Sequence, residues 1–198
     1  MSSWFLEEVA NAQLEVAKQA LQKPCDIAPY QYFLQAMELI RPKSGWSFLD
    51  AGCGTSGYGL LCAQHYSGLA YTGTDASEFM VCRAEQLYPK GKFEVREFNQ
   101  NDFGAYDIAL VSSVLEYAGT WSALEKVLKS FKRYVILHRM RGTNEPSHTF
   151  RELTYCGHSE DFYLWNHKAL REFIGRHASL RHELVWEDGM QMTLVVGR

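Results

Sequence analysis

The run Phe48-Leu49-Asp50-Ala51-Gly52-Cys53-Gly54-Thr55-Ser56-Gly57 constrains this chain more than any other stretch. Residues suited to a buried strand lead into glycines spaced G-x-G-x-x-G, and a helical pattern follows to about Tyr66. A turn of this kind lets backbone come close to a ligand, and it belongs to sheets whose parallel strands are joined by helices. Taken alone, the pattern also fits a tight strand-to-helix turn chosen for packing.

The rest of the chain alternates in the same way. Strand patterns cover Trp46–Ala51, Leu69–Asp75, Lys92–Phe98, Tyr106–Val114 and Arg133–Arg139, and helical periodicity covers Ser77–Tyr88, Thr120–Phe131 and His167–His177. The segment YDIALVSSV is almost unbroken apolar sequence, as expected of a strand covered on both faces. Leu180–Trp186 and Met190–Val196 close the chain as two strands joined through Glu187-Asp188-Gly189, an Asp-Gly hairpin signal. Two helices, about Trp4–Gln22 and Tyr30–Ile40, precede the first strand. The predicted fold is α/β: a doubly wound, mostly parallel seven-stranded sheet with helices on both faces and a C-terminal antiparallel hairpin. The 198 residues suit a single domain, with 1–45 as an N-terminal helical cap and 46–198 as the sheet core. Met140–Trp165 shows no sustained period, and its length, with its histidines, arginines and aromatics, marks it as a functional loop and a candidate lid.

Composition excludes several classes. Twenty Lys and Arg against 23 Asp and Glu give a net charge of -3, without the basic footprint of a dedicated nucleic-acid or anionic-membrane binder. The five cysteines form no C-x-x-C pair, which points to reduced thiols and away from a zinc site or disulfide framework. With no basic, apolar leader and no long apolar run, the expectation is a soluble cytoplasmic protein without a metal.

Two acids sharpen the reading of the glycine turn. Asp50 ends the first strand two residues before Gly52, where a carboxylate would repel a pyrophosphate and suit a ligand with a cationic group. Asp75 ends the second strand, placed to accept both hydroxyls of an adenosine ribose, a role compatible with favouring the dipole of the next helix. With LDAGCGTSG (Leu49–Gly57), GTDAS (Gly73–Ser77) and YDIALVSSVLEYA (Tyr106–Ala118), the sequence resembles the class I S-adenosylmethionine-dependent methyltransferases over nearly all of Tyr30–Arg198. It departs from them at Ser56, where many members have glycine, and at Tyr117, where the pattern Leu-Glu-His has its histidine. The resemblance implies S-adenosylmethionine as cofactor. Asp50, Gly52, Cys53 and Gly54 would hold its methionine end, Asp75 its ribose, and Ala76 would lie beside the adenine. Asn99, or next Asn101, would meet the adenine amino group, although Asn99-Gln100-Asn101-Asp102 also reads as a polar turn. Ser112 and Ser113 would line the site near the sulfonium. Tyr30 would either fold over the cofactor or pack on the core.

The methyl acceptor is less legible. His138, Tyr117 and His148 are the candidate catalytic side chains, with His138 also readable as a hydrogen-bonded core histidine. Arg139 and Arg141 could clamp an anionic acceptor. No N-P-P-Y or D-P-P-Y follows the fourth strand, so a small-molecule oxygen or nitrogen acceptor is favoured over a nucleic-acid base. The rival readings are a nicotinamide-dependent oxidoreductase and a binding or regulatory protein that keeps the fold.

Overall fold

The computed structural model describes residues 2–118, 121–176, 181–187 and 190–198. A short 3-10 turn at Ser3–Phe5 leads into α1 (Glu7–Ala20), followed by α2 (Ala28–Ile40). The alternating core then runs β1 (Ser47–Ala51), α3 (Gly57–His65), β2 (Ala70–Asp75), α4 (Glu78–Leu87), β3 (Lys92–Val95), β4 (Ile108–Ser112), α5 (Leu115–Ala118), α6 (Trp121–Ser130) and β5 (Tyr134–Thr143). After it come β6 (His148–Leu153), β7 (Ser159–Asn166), α7 (His167–Gly175), β8 (Arg181–Glu187) and β9 (Gln191–Gly197). The expected helix ends at Thr120 and His177, and Asp188-Gly189 of the closing hairpin, lie outside the described residues.

The sheet is mixed, mostly parallel and Rossmann-like. Its order is β3-β2-β1-β4-β5-β7-β6, with β9 antiparallel to β5 and β8 antiparallel to β9. Within the run β3-β2-β1-β4-β5 every adjacent pair is parallel. Side chains alternate across the sheet as its pleat requires. Leu49, Ala109, Val111, Val135 and Leu137 face the layer of α6 and α7, while Phe48, Ile108, Leu110 and Ile136 face α2 and α3. Four buried residues of α6 (Ala123, Leu124, Val127, Leu128) anchor that helix, each large one worth roughly 1.5–3 kcal/mol of burial. α2 packs Phe33, Ala36 and Met37 into the core on the opposite face of the sheet, whereas α1 joins α4 in a smaller cluster through Val9, Ala10 and Met80.

The structure corrects one expectation outright. Met140–Trp165 is not an irregular loop: β5 runs on to Thr143, and β6 and β7 form an antiparallel hairpin from His148↔Leu164 to Leu153↔Ser159. Among the described residues the sheet has nine strands, β6 and β7 adding to the seven expected. Every residue of β6 is exposed, so the alternation that betrays a strand never develops there. On β7 the fully packed side chains are Phe162 and Trp165, a spacing of three that hides the strand period. The third strand is also shorter than its expected range, ending at Val95 before a 3-10 turn at Phe98–Gln100.

Candidate active site

The site forms along the edge of the sheet where the parallel strands end, the edge at which open α/β sheets bind ligands. There the backbone of Gly52 (φ +80°) and Gly54 (φ +51°) is left-handed, a conformation open to glycine at little cost. A Cβ on Gly52 would fall 2.3 Å from Val114 Cγ2, so the turn admits no side chain at that point. Both N–H groups that follow Ala51, those of Gly52 and Cys53, donate to Thr74 O at 2.7 and 2.9 Å, locking the turn to the end of β2. Asp75 completes the link: its carboxylate accepts from Gly54 N–H (2.9 Å) and Ser77 N–H (3.0 Å). Burial raises its pKa, and these backbone donors oppose the rise. Ser77 in turn caps α4, its Oγ accepting from Met80 N–H at 3.4 Å.

Above this turn lies a cavity of about 820 Å³. Gly52, Cys53, Gly54, Asp75 and Ala76 line one side. Asn99, Ser112, Ser113, Tyr30 and Tyr117 line it too, so ten of the expected site residues converge on one space. Asn101 does not reach it: the side chain is buried and donates to Phe98 O at 3.1 Å, so of the two expected amides Asn99 is the one on the wall.

Three expected site residues stand elsewhere. Asp50 is fully buried behind the turn, accepting from Tyr71 OH at 2.8 Å, with its other oxygen unpartnered. Burial pushes its pKa up to about 7. It is not part of the cavity wall. His138 is fully buried between Thr193 Oγ1 (2.8 Å) and Tyr58 OH (2.9 Å), and burial lowers its pKa to about 3. Its ring is neutral and both nitrogens are occupied, as a core histidine's should be. His148 lies on the exposed β6 with Nδ1 against Pro146 O at 2.8 Å, and it too is off the cavity wall.

Other residues were not singled out by sequence reasoning. Tyr58 stands on the wall, held by His138, and burial raises its pKa while the charge of Arg139 opposes the rise. Glu116 is buried on the wall, one oxygen accepting Arg141 N–H at 2.7 Å and the other without a partner. Its burial pushes the pKa up to about 7 against the opposing charges of Arg139 and Arg141. The available signal was its place: an acid directly after a β4 read as wholly buried. Arg139 itself sits at an irregularity in β5, where the register with β9 shifts between Leu137 and Met140 and its own φ is +53°. Bulges of this kind re-aim side chains next to functional sites.

The far wall comes from distant segments. Trp4 packs edge-on against Tyr117 (5.3 Å) and Tyr155 (5.9 Å), and Tyr117 against Phe162 (4.9 Å). Glu160 of β7 accepts from Ser2 Oγ at 3.1 Å and from Ser3 N–H, and His158 Nε2 meets Glu8 Oε1 at 2.7 Å. The N-terminal segment and the hairpin thus close the cavity together.

Comparison with known proteins bears on this arrangement. Residues 49–135, spanning the glycine turn through the start of β5, match the family described as Methyltransferase domain. A curated relative, 24-methylenesterol C-methyltransferase 3 of Arabidopsis thaliana, is 31% identical over 112 residues. That alignment covers 50% of this chain and 31% of the relative, so the chain spans less than a third of that protein's length. Among solved structures, magnesium protoporphyrin IX methyltransferase from Synechocystis PCC 6803 with bound SAM aligns with a TM-score of 0.60 at 17% identity. That alignment covers 100% of this chain and 85% of the other. An S-adenosylmethionine-dependent methyltransferase from Clostridium acetobutylicum ATCC 824 aligns at 0.64 and 12% identity, covering 94% and 98%. At these identities the likeness is one of fold: a Rossmann-like, mostly parallel sheet with helices around it.

Proposed function

We propose that this methyltransferase domain binds S-adenosylmethionine and transfers its methyl group to an oxygen or nitrogen of a small-molecule acceptor. The observation that carries the reading is the coupling of Gly52 and Gly54, both left-handed, to Asp75 through the Gly54 N–H, on the wall of one cavity. Residues present fit the cofactor: a turn without side chains for its methionine end, an acid at the strand tip for its ribose, and Asn99 for its adenine. The cofactor supplies an electrophilic methyl group on a sulfonium. The chain's part is to orient it, exclude water and hold an acceptor in line, and alignment of that kind accounts for much of the rate of such transfers. The solved neighbours support the cofactor, since the protoporphyrin methyltransferase was crystallised with SAM or SAH. A volume of about 820 Å³ suits cofactor and small acceptor together. No described helix is long and apolar enough to cross a membrane.

Calorimetry with S-adenosylmethionine and with NAD tests the proposal, with the former expected to bind and the latter not. Asp75→Ala should weaken S-adenosylmethionine by about 2–3 kcal/mol, roughly 30- to 150-fold, since hydrogen bonds to a charged acceptor are lost. An affinity unchanged within about twofold in the folded variant, or preferential NAD binding, would overturn the assignment.

A further inference from the structure

Two buried carboxyl groups flank the glycine turn, and each has one oxygen without a partner: Asp50 Oδ1 and Glu116 Oε2. Asp50 is shut behind the turn. Glu116 forms part of the cavity wall although it is only 2% exposed. Its other oxygen is committed to Arg141 N–H at 2.7 Å, which fixes the carboxyl plane against β5. A buried acceptor oxygen left unmatched costs stability unless something it receives makes good the loss. The surroundings suggest what that is. Tyr117 adjoins it in sequence, Phe162 packs at a tilt against Tyr117 at 4.9 Å, and Trp4 closes the same side, so a flat ring would find apolar walls there.

On the reading of this domain as an S-adenosylmethionine-dependent methyltransferase, we propose that Glu116 Oε2 accepts the proton of a phenol-type acceptor as its oxygen is methylated. The phenolic oxygen forms the new bond to the methyl carbon. The carbon–sulfur bond breaks with its electron pair left on sulfur, and the hydroxyl proton passes to Oε2. Nothing else is consumed. The charged and titratable groups around Glu116 are Arg139 and Arg141 of β5, Tyr117 of its own helix, and Glu152 of β6, which is ion-paired to Arg141. The two arginines oppose the effect of burial, which leaves the carboxyl titrating near neutrality, the range in which a general base works best.

Glu116→Gln separates proton acceptance from structure, because the amide oxygen still accepts Arg141 N–H. The expectation is a melting temperature no lower than that of the wild type and an unchanged S-adenosylhomocysteine affinity, with phenol methylation lowered by about 100-fold or more. Glu116→Asp should recover part of that loss. Turnover of thiophenols, which ionise unaided at pH 8, should fall less than about threefold, since no base is needed. Carboxylate carbon-13 titration of the unliganded wild type should show a glutamate midpoint above the ordinary range, absent from the variant. Equal losses with phenol and thiophenol, or an ordinary midpoint, would overturn the proposal. So would a wild-type protein that binds S-adenosylmethionine and methylates no phenol. A wild-type protein that fails to bind S-adenosylmethionine would overturn the methyltransferase reading and this proposal with it.

Discussion

The two sides of the cavity are built in opposite ways. On the side of the glycine turn, residues from the ends of two adjacent parallel strands are held through backbone N–H donors at 2.7 to 3.0 Å: Gly52 and Cys53 to Thr74 O, Gly54 and Ser77 to the Asp75 carboxylate. On the other side, Trp4, Tyr117, Tyr155 and Phe162 come from the N-terminal turn, α5 and the β6–β7 hairpin, and they meet mainly through ring contacts. A side made of backbone geometry can be carried on any chain that keeps the turn. A side made of rings from three distant segments can change with its acceptor. This division is what a fold with one cofactor and many acceptors would use.

The largest test of the comparison bears on whether the hairpin side is as integral to the fold as the turn side. Trp165, at the end of β7, is fully buried and packs edge-on against Trp121 (4.7 Å) and Tyr163 (4.9 Å). Trp165→Ala should therefore cost about 3–5 kcal/mol of stability in denaturant unfolding. A loss below about 1 kcal/mol would mean that the hairpin is an appendage whose removal the core barely registers.

A pH series sharpens the contrast between the two carboxyl groups. Burial raises both Asp50 and Glu116 to about 7 in the folded state, above their unfolded values. For such a group the folded chain holds more protons than the unfolded one between the two pKa values, so stability falls as pH rises through that window and levels off above about 7. The slope should reach at most about 1.4 kcal/mol per pH unit for each group. Asp50→Asn should remove one of the two contributions between about pH 5 and 7, which unfolding free energies measured at several pH values would reveal. An unchanged slope would place Asp50 in contact with solvent, contrary to its position behind the turn.

The smallest effect is expected at His148. Its exposed place on β6, off the cavity wall, predicts that His148→Ala changes stability by less than about 0.5 kcal/mol and leaves methyl transfer unaltered. A tenfold fall in turnover would bring the outer face of the hairpin into the site and undo the division between the two sides.

What the sequence alone determined lies mostly on the glycine-turn side. Gly52, Gly54 and Asp75 were legible because strand, turn and strand tip follow one another at spacings that the parallel sheet turns into proximity. The strand–helix alternation likewise carried the sheet through β5, since period and punctuation are local properties. Tertiary structure decided the rest. Whether a carboxylate faces a ligand or the core depends on a partner such as Tyr71, which reaches Asp50 from the neighbouring strand, and no spacing within one strand records that. His138 became a core residue because Thr193, 55 positions later, and Tyr58, 80 positions earlier, occupy both of its nitrogens. The hairpin of β6 and β7 escaped notice because a strand with every residue exposed leaves no alternation to read, and its partner shows its buried side chains three apart. Glu116 gained its unmatched oxygen from the same cause: burial on the wall of a cavity is a property of assembled segments, and the chain's order alone does not contain it.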